Sequence, residues 1–406
     1  MKTQLLNRPR AKRIMEQEGI DGLLGATFEH VLYLTNVWVE GFFWGARQTQ
    51  AFAVVHRERL DRPVLAAGIG EVANFANSAA PGAELITYGE FYRFVEDGAQ
   101  LDEIAAAVKD RVVDHPERKK ANAVEALISA LEAAGLTRGT VAYDDRGLFL
   151  ETYQALTQRL PQLKLVPGYQ LFRRIRAVKT EEEQRRLEDA LRVDEGAISA
   201  AMKVARPGIR EQDMIAELET YLVRHGAKPL FSQICFGGRG GMGNVMQRDG
   251  VLHEHEVIRF DVGIMASNGY HSDIARNFSL GEPDERAIRF WDATLAGIDA
   301  AAAAMKPGAT AAGVVHAAVS AVRDARIPHF NRNHVGHGIG LEVYDMPLLA
   351  PADTTPIEEG MVFQVETPYY ELGWAGIQPE DTIVATPNGG KNLARLSRSF
   401  VVVPSP

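Results

Sequence analysis

A single cysteine, Cys235, stands in a chain of 406 residues. That scarcity excludes an intrachain disulfide and a thiolate metal cluster. No run approaches the roughly 18 apolar residues a membrane-spanning helix needs. Basic residues are outnumbered, with Lys+Arg 44 against Asp+Glu 53 and a net charge of −9. This balance argues against a nucleic-acid backbone or an anionic membrane surface as the main partner. The opening segment, residues 1–13, is basic but has no apolar stretch behind it, so it does not read as a secretory signal. The first half also has no phosphate loop and no GxGxxG opening a helix. What is present is a 46% hydrophobic composition, over a length that suggests about two or three domains. The expectation is a cytoplasmic, mixed α/β protein.

In the first part of the chain, short apolar runs alternate with helical patterns. Strands are expected at Asp21–Leu24, Val31–Leu34, Ala51–Val55 and Val64–Ala67. Helices are expected near Pro9–Glu18, Leu101–Val113, Asn122–Ala134 and Gly147–Leu160. Alternation of this kind favours an α/β layer with a buried sheet. The segment Asp114–Lys120, charged and containing a proline, reads as a solvated loop. A boundary is expected around Arg173–Thr180, giving domains at 1–172 and 173–406. Directly after it, Thr180 followed by Glu181, Glu182 and Glu183 reads as a capping box opening a helix.

Behind that boundary the chain repeats itself. Ala201-Met202-Lys203 before Pro207-Gly208 is echoed by Ala304-Met305-Lys306 before Pro307-Gly308. The following helix carries Ile215, Leu218 and Leu222 in one copy and Val315, Ala318 and Val322 in the other. Pro229-Leu230-Phe231 and Pro328-His329-Phe330 come next. A strand then ends in an acid in each copy, at Asp261 and at Glu366, and a second acid follows each, Asp273 and Glu380. Two copies in matching order indicate a duplicated unit rather than a solenoid, since two copies cannot make a stack.

A pseudo-symmetric pair of such units brings four carboxylates near one axis. Packed without countercharge they repel and raise one another's pKa. A pair of divalent cations removes that problem. His337, in the run Val335-Gly336-His337-Gly338-Ile339-Gly340, is a further candidate ligand, because flanking glycines let the backbone turn tightly. Each residue alone has an ordinary reading as a turn, cap or loop residue. The ordered set Asp261, Asp273, His337, Glu366 and Glu380 points to a metal site.

These segments, together with Tyr270–Arg276, Gly336–Val343, Glu359–Glu366 and Glu380-Asp381-Thr382, resemble the motifs of the pita-bread metallohydrolases. That superfamily includes proline dipeptidase, aminopeptidase P, methionine aminopeptidase and creatinase. The resemblance covers about residues 170–400, and more weakly a creatinase/prolidase-type N-terminal domain. It implies an N-terminal α/β domain and a C-terminal pita-bread α+β domain with internal pseudo-two-fold duplication. It also implies two divalent ions, Mn, Co, Fe or Zn. Asp261 would bind one ion, Asp273 and Glu380 would bridge, and His337 with Glu366 would hold the other. Glu366 would also manage the proton of the attacking water.

The chain departs from the peptidase pattern at three positions. Asn244 and Tyr344 stand where those relatives carry histidines that meet the substrate carbonyl, and Gln378 stands where they carry an arginine. Asn244 still offers an amide donor and Tyr344 a phenol donor. His271 and His334 are candidates to compensate for the missing charge, although a surface or packing role is their commoner use. The aromatic segment Val37–Arg47, with Trp38, Trp44 and Arg47, suits a small polar or zwitterionic ligand, and equally suits ordinary packing. In creatinase-like relatives the corresponding loop closes a partner's site, so a homodimer is expected. The implied activity is metal-dependent hydrolysis of a C–N bond in a short peptide of the Xaa-Pro type. One alternative is a non-peptide hydrolase or lyase, of the creatinase, ectoine hydrolase or dimethylsulfoniopropionate lyase kind. A non-catalytic binding module ranks last, because all five ligands are present.

Overall fold

The computed structural model describes residues 3–45 and 48–403. The chain folds as two compact units, 1–176 and 177–406. The division lies a few residues beyond the expected 172/173. The reason is the helix Tyr169–Arg176, whose Phe172 ring stacks on His30 at 4.0 Å and so binds the helix to the first unit.

The first unit is built on a six-stranded mixed sheet. Its strand order is Glu84–Tyr88, Val64–Gly68, Phe52–His56, Gly22–Gly25, Gly139–Tyr143 and Leu163–Pro167. The amphipathic helix Ala123–Ala134 covers one face, burying Ala126, Leu127, Ala130 and Leu131. Its start is set by the Asn122 side chain, which accepts from the Glu125 amide, as a helix N-cap requires. The run Val31–Leu34 is not a strand but part of the helix Phe28–Thr35, buried on every side. A short continuous apolar run carries no period to separate the two structures. Thr27, whose side chain accepts from the His30 amide, is the local signal for helix. The helix expected over Leu101–Val113 is divided, with Glu103–Val108 α-helical and Lys109–Asp114 continuing in wider π turns.

The second unit contains the repeat. Helix Glu181–Met202 opens on Thr180 with both halves of the capping box formed. The two long helices, Glu181–Met202 and Glu285–Ala304, each lead through a Pro-Gly turn into a shorter one, Glu211–Arg224 or Ala311–Asp324. The backbone wiring at these turns is the same in both copies. The Gly208 amide donates to Leu252 and the Leu252 amide to Ile209; Gly308 donates to Ile357, and Ile357 to Ala309.

Each copy then contributes an antiparallel sheet, to one of which a short parallel edge strand is added. One runs Val401–Val403, His271–Leu280, Val257–Met265, Lys228–Phe236. The other runs Asp345–Leu348, Gly336–Gly338, Val362–Glu366, Glu380–Thr386, Gly389–Asn392. Asp261 lies in the middle of its strand rather than at the end expected for it, whereas Glu366 does close its strand. The Gln364 side-chain amide donates to the Asp273 carbonyl and ties one sheet to the other. Among the described residues no helix is long and apolar enough to cross a membrane.

Of the glycines around His337, Gly336 is required by conformation and by space, and Gly338 by space. Gly336 has φ +133, and a Cβ there would stand 2.0 Å from the Gln364 carbonyl oxygen. A Cβ at Gly338 would stand 2.3 Å from the Met346 carbonyl. Both obstacles are backbone, which cannot swing aside as a side chain does. Gly336→Ala is therefore expected to lower stability by about 3 kcal/mol, which thermal or urea unfolding will measure.

Candidate metal centre

The strand registers determine which carboxylates meet. Asp261 pairs with Ala275, and Asp273 with Gly263. Residues 261 and 263 share a face of their strand, so Asp261 and Asp273 project together as diagonal neighbours. In the other sheet Glu366 and Glu380 are directly opposite one another. His337 pairs with Gln364, two positions before Glu366.

These five side chains line one cavity of about 510 Å³, together with Phe231, Gln233, Asn244, Arg332, His334, Tyr344, Tyr370 and Gln378. Within it, ligand atoms of Asp273, His337 and Glu380 lie within 4.8 Å of one another, and all three residues are buried. Asp261 and Glu366 share the cavity but fall outside that tight trio.

The electrostatics show how costly the cluster is for protein atoms alone. Burial pushes the Asp273 and Glu380 carboxyls well above the ordinary range, and they stand among the charges of Asp261 and Glu366, which add to the effect. Burial likewise raises Asp261, against the pull of Arg259. It brings Glu366 up to about 7, with Arg332 opposing. Burial also lowers His337 to about 4, so its ring is neutral at pH 7. Its Nδ1 lies 3.0 Å from the Gly338 carbonyl and must be the protonated nitrogen. Nε2, 3.7 Å from Asp273 Oδ2, is left with a free lone pair.

A divalent cation fits this donor set. Asp273 Oδ1 is buried without a hydrogen-bond partner among the described residues, and clustered carboxylates with one neutral imidazole are suitable hard and borderline ligands. A cation would remove the repulsion that raises these pKa values.

The remaining expected residues divide. Asn244, Tyr344, His334 and Gln378 do line the cavity. The Tyr344 ring stacks on His337 at 3.8 Å while remaining 52% exposed. His334 Nδ1 lies 3.3 Å from Glu366 Oε1. His271 does not line the cavity; its Nδ1 lies 3.2 Å from the Gly340 carbonyl, as suits a packing histidine. Trp38 belongs to the first unit, stacked on Phe43 at 4.8 Å and edge-on to Phe28, which is packing. Trp44 is 66% exposed in the same unit, and Arg47 lies outside the described residues.

Sequence reading missed several groups. Arg259 is fully buried, and its Nη1 lies 3.4 Å from Asp261 Oδ2. Arg332 reaches Glu366 Oε1 at 3.5 Å. Asp194, on the long helix, is fully buried. Burial raises its pKa against the pull of the Ser272 hydroxyl, and the charges of Glu195 and Asp261 raise it further. Arg259 was findable: an arginine between Ile258 and Phe260 in a strand buried on both faces needs a partner. Asp194 gave no such signal, being one acid among many on an amphipathic helix.

Comparison with known proteins agrees with this geometry. The model of metallopeptidase family M24 matches residues 185–387, and that of the creatinase/prolidase N-terminal domain matches residues 8–178. The chain is 27% identical over 285 residues to an Xaa-Pro dipeptidase of Pyrococcus furiosus, covering 70% of this chain and 79% of the relative. It is 30% identical over 268 residues to an Xaa-Pro dipeptidase of Lactobacillus delbrueckii subsp. lactis, covering 65% and 72%. An Xaa-Pro dipeptidase structure from Bacillus anthracis superposes with a TM-score of 0.76 at 20% identity, over 98% of this chain and 99% of that one, and so shares the fold.

Proposed function

The chain belongs to metallopeptidase family M24, and we propose that it is a two-metal hydrolase that cleaves dipeptides of the Xaa-Pro type. The observation that carries the reading is the convergence of Asp273, His337 and Glu380 within 4.8 Å, in the cavity that Asp261 and Glu366 also line. In this reading Asp261, Asp273, His337, Glu366 and Glu380 would hold the cations. Two divalent ions, with manganese, cobalt, iron and zinc as the candidates, supply the polarisation of the scissile carbonyl and the acidification of water.

The chain's own residues supply the rest. Glu366, which lines the cavity, takes the proton from water and returns it to the leaving nitrogen. The Tyr344 phenol and the Asn244 amide donate to the carbonyl oxygen as it gains charge. Neither is a cation, so they stabilise that charge less than a protonated imidazole does. Arg332 lines the cavity, and it provides the counterion for a substrate carboxylate, with His334 beside it. Arg332→Leu is then expected to raise KM for a dipeptide by about tenfold or more, on the scale of a charged hydrogen bond. It should also erase the preference for a free C-terminal carboxylate over its amide. Steady-state kinetics on the two substrates checks both.

A panel of Xaa-Pro dipeptides, assayed with added manganese or cobalt, tests the activity. A second reading has a specific observation behind it: Asn244 and Tyr344, the two departures at carbonyl-handling positions, both face the cavity. Metal uptake without turnover of any dipeptide would favour a small non-peptide C–N substrate on the same centre. A homodimer is the proposed assembly, which sedimentation will test.

A further inference from the structure

Beside Asp261 lies a buried network that the proposed chemistry does not use. Arg259, two residues before Asp261 on the same strand, is fully buried, and its guanidinium makes contacts on several sides. Nη1 donates to Gln378 Oε1 at 2.6 Å and lies 3.4 Å from Asp261 Oδ2. Nη2 donates to the Gly243 carbonyl and meets Cys235 Sγ at 3.7 Å. Gln378 completes the bridge: its Nε2 donates to the same Asp261 Oδ2 at 3.0 Å, and its Oε1 also accepts from Tyr370 Oη at 2.8 Å. Both contacts on Asp261 fall on Oδ2; Oδ1 takes no hydrogen bond among the described residues.

We infer that Arg259 and Gln378 act as one positioning unit, which fixes the Asp261 carboxylate by Oδ2, presents Oδ1 to a divalent cation, and ties this ligand to the Gly243-Asn244 backbone on the cavity wall. The inference rests on the metal-centre reading given above. Three features support it physically. A buried guanidinium needs carboxylate and carbonyl partners to repay its desolvation, and Gln378, Asp261 and Gly243 all border the cavity. The fork geometry lets one side chain serve Gln378, Asp261 and the Gly243 carbonyl together, which a lysine's point charge cannot do. Because Gln378 already touches the oxygen that Arg259 approaches, an arginine at 378 can reach Asp261 in its place. The charge therefore matters more than the strand that supplies it. Partners that orient a metal ligand typically contribute about 10- to 100-fold in metal affinity.

The test is cobalt(II) titration of the metal-free full-length protein, followed by calorimetry and by the visible d–d spectrum, with dipeptide kinetics alongside. Arg259→Met, which keeps volume and removes the charge, should weaken cobalt binding by about tenfold or more and alter the spectrum, with kcat falling more than KM changes. Arg259→Lys should recover only part of the affinity. The double variant Arg259→Met with Gln378→Arg should recover most of it, a result that a purely structural role for Arg259 does not produce. Should Arg259→Met not fold, Gln378→Leu carries the test, since it removes the donor to Asp261 and the acceptor holding Arg259. It is expected to show the same loss of affinity. Wild-type uptake of cobalt, with unchanged affinity and spectrum in Arg259→Met and Gln378→Leu, overturns this proposal alone. Absence of cobalt uptake by the wild-type protein overturns the metal-centre reading, and this proposal with it.

Discussion

Glu366→Gln is expected to keep its metal and lose turnover by about three orders of magnitude, within the roughly 10²- to 10⁴-fold range of a positioned general base. The amide retains one oxygen for coordination and nearly the same volume, so the fold and most of the metal affinity should survive. It cannot accept a proton, and the other groups near residue 366 do not replace it. A guanidinium such as that of Arg332 has donors and no acceptor. His334 is driven toward its neutral form by burial and by Arg332, but it lies on the Arg332 side of Glu366. Metal content by mass spectrometry, measured with kcat on one dipeptide, decides the matter. Turnover within about tenfold of wild type would remove Glu366 from its assigned role. Loss of metal together with turnover would make it a ligand only.

The second large effect concerns pH in the metal-free protein. Asp273, Glu380 and Glu366 all have folded-state pKa values raised above their ordinary carboxylate values. Such groups bind protons more tightly when folded than when unfolded. Their favourable contribution is therefore complete below the unfolded value near about 4 and is lost as pH rises through the folded value. For Glu366 that loss accumulates from the unfolded value up to about 7, above which nothing further is lost; for the other two the direction is the same. The metal-free protein should thus gain stability, on the order of 1–3 kcal/mol, as pH falls from about 8 to about 5.5. Bound cations replace those protons, so the loaded protein should show the opposite trend, weakening toward acid as protons compete for the ligands. Thermal unfolding of both forms across this range checks the crossing. Parallel curves would mean that the acids do not share one charged cluster.

Much of this was legible from residue order because duplication and metal chemistry both leave local marks. The glycines of the Pro-Gly pairs and those flanking His337 are required by backbone geometry or space that other residues do not satisfy, and Thr180 belongs to the small set of residues that cap a helix. The acids stood out because they recur in matching order in the two copies of the repeat. What was illegible involves contacts between distant strands. Gln378 read as a lost charge, and the histidines nearest the ligands were its expected substitutes. The guanidinium instead enters from Arg259, on another strand and far away in the chain, and only the sheet packing brings the two together. Similarly, Val31–Leu34 is an apolar run without a period, buried on all sides, and the Thr27 cap before it is the one local mark of a helix. The tryptophans of the aromatic segment suited a ligand wall and ordinary packing equally; in the structure Trp38 packs against Phe28 and Phe43.

The most direct test of the central claim is metal stoichiometry in the purified chain and in Glu380→Ala, measured by mass spectrometry after loading with manganese or cobalt and desalting. Two ions per wild-type chain, falling to one or fewer when that acid is removed, with dipeptide turnover lost in parallel, is the predicted result. A wild-type chain that retains no ion and keeps hydrolysing in excess chelator would contradict it.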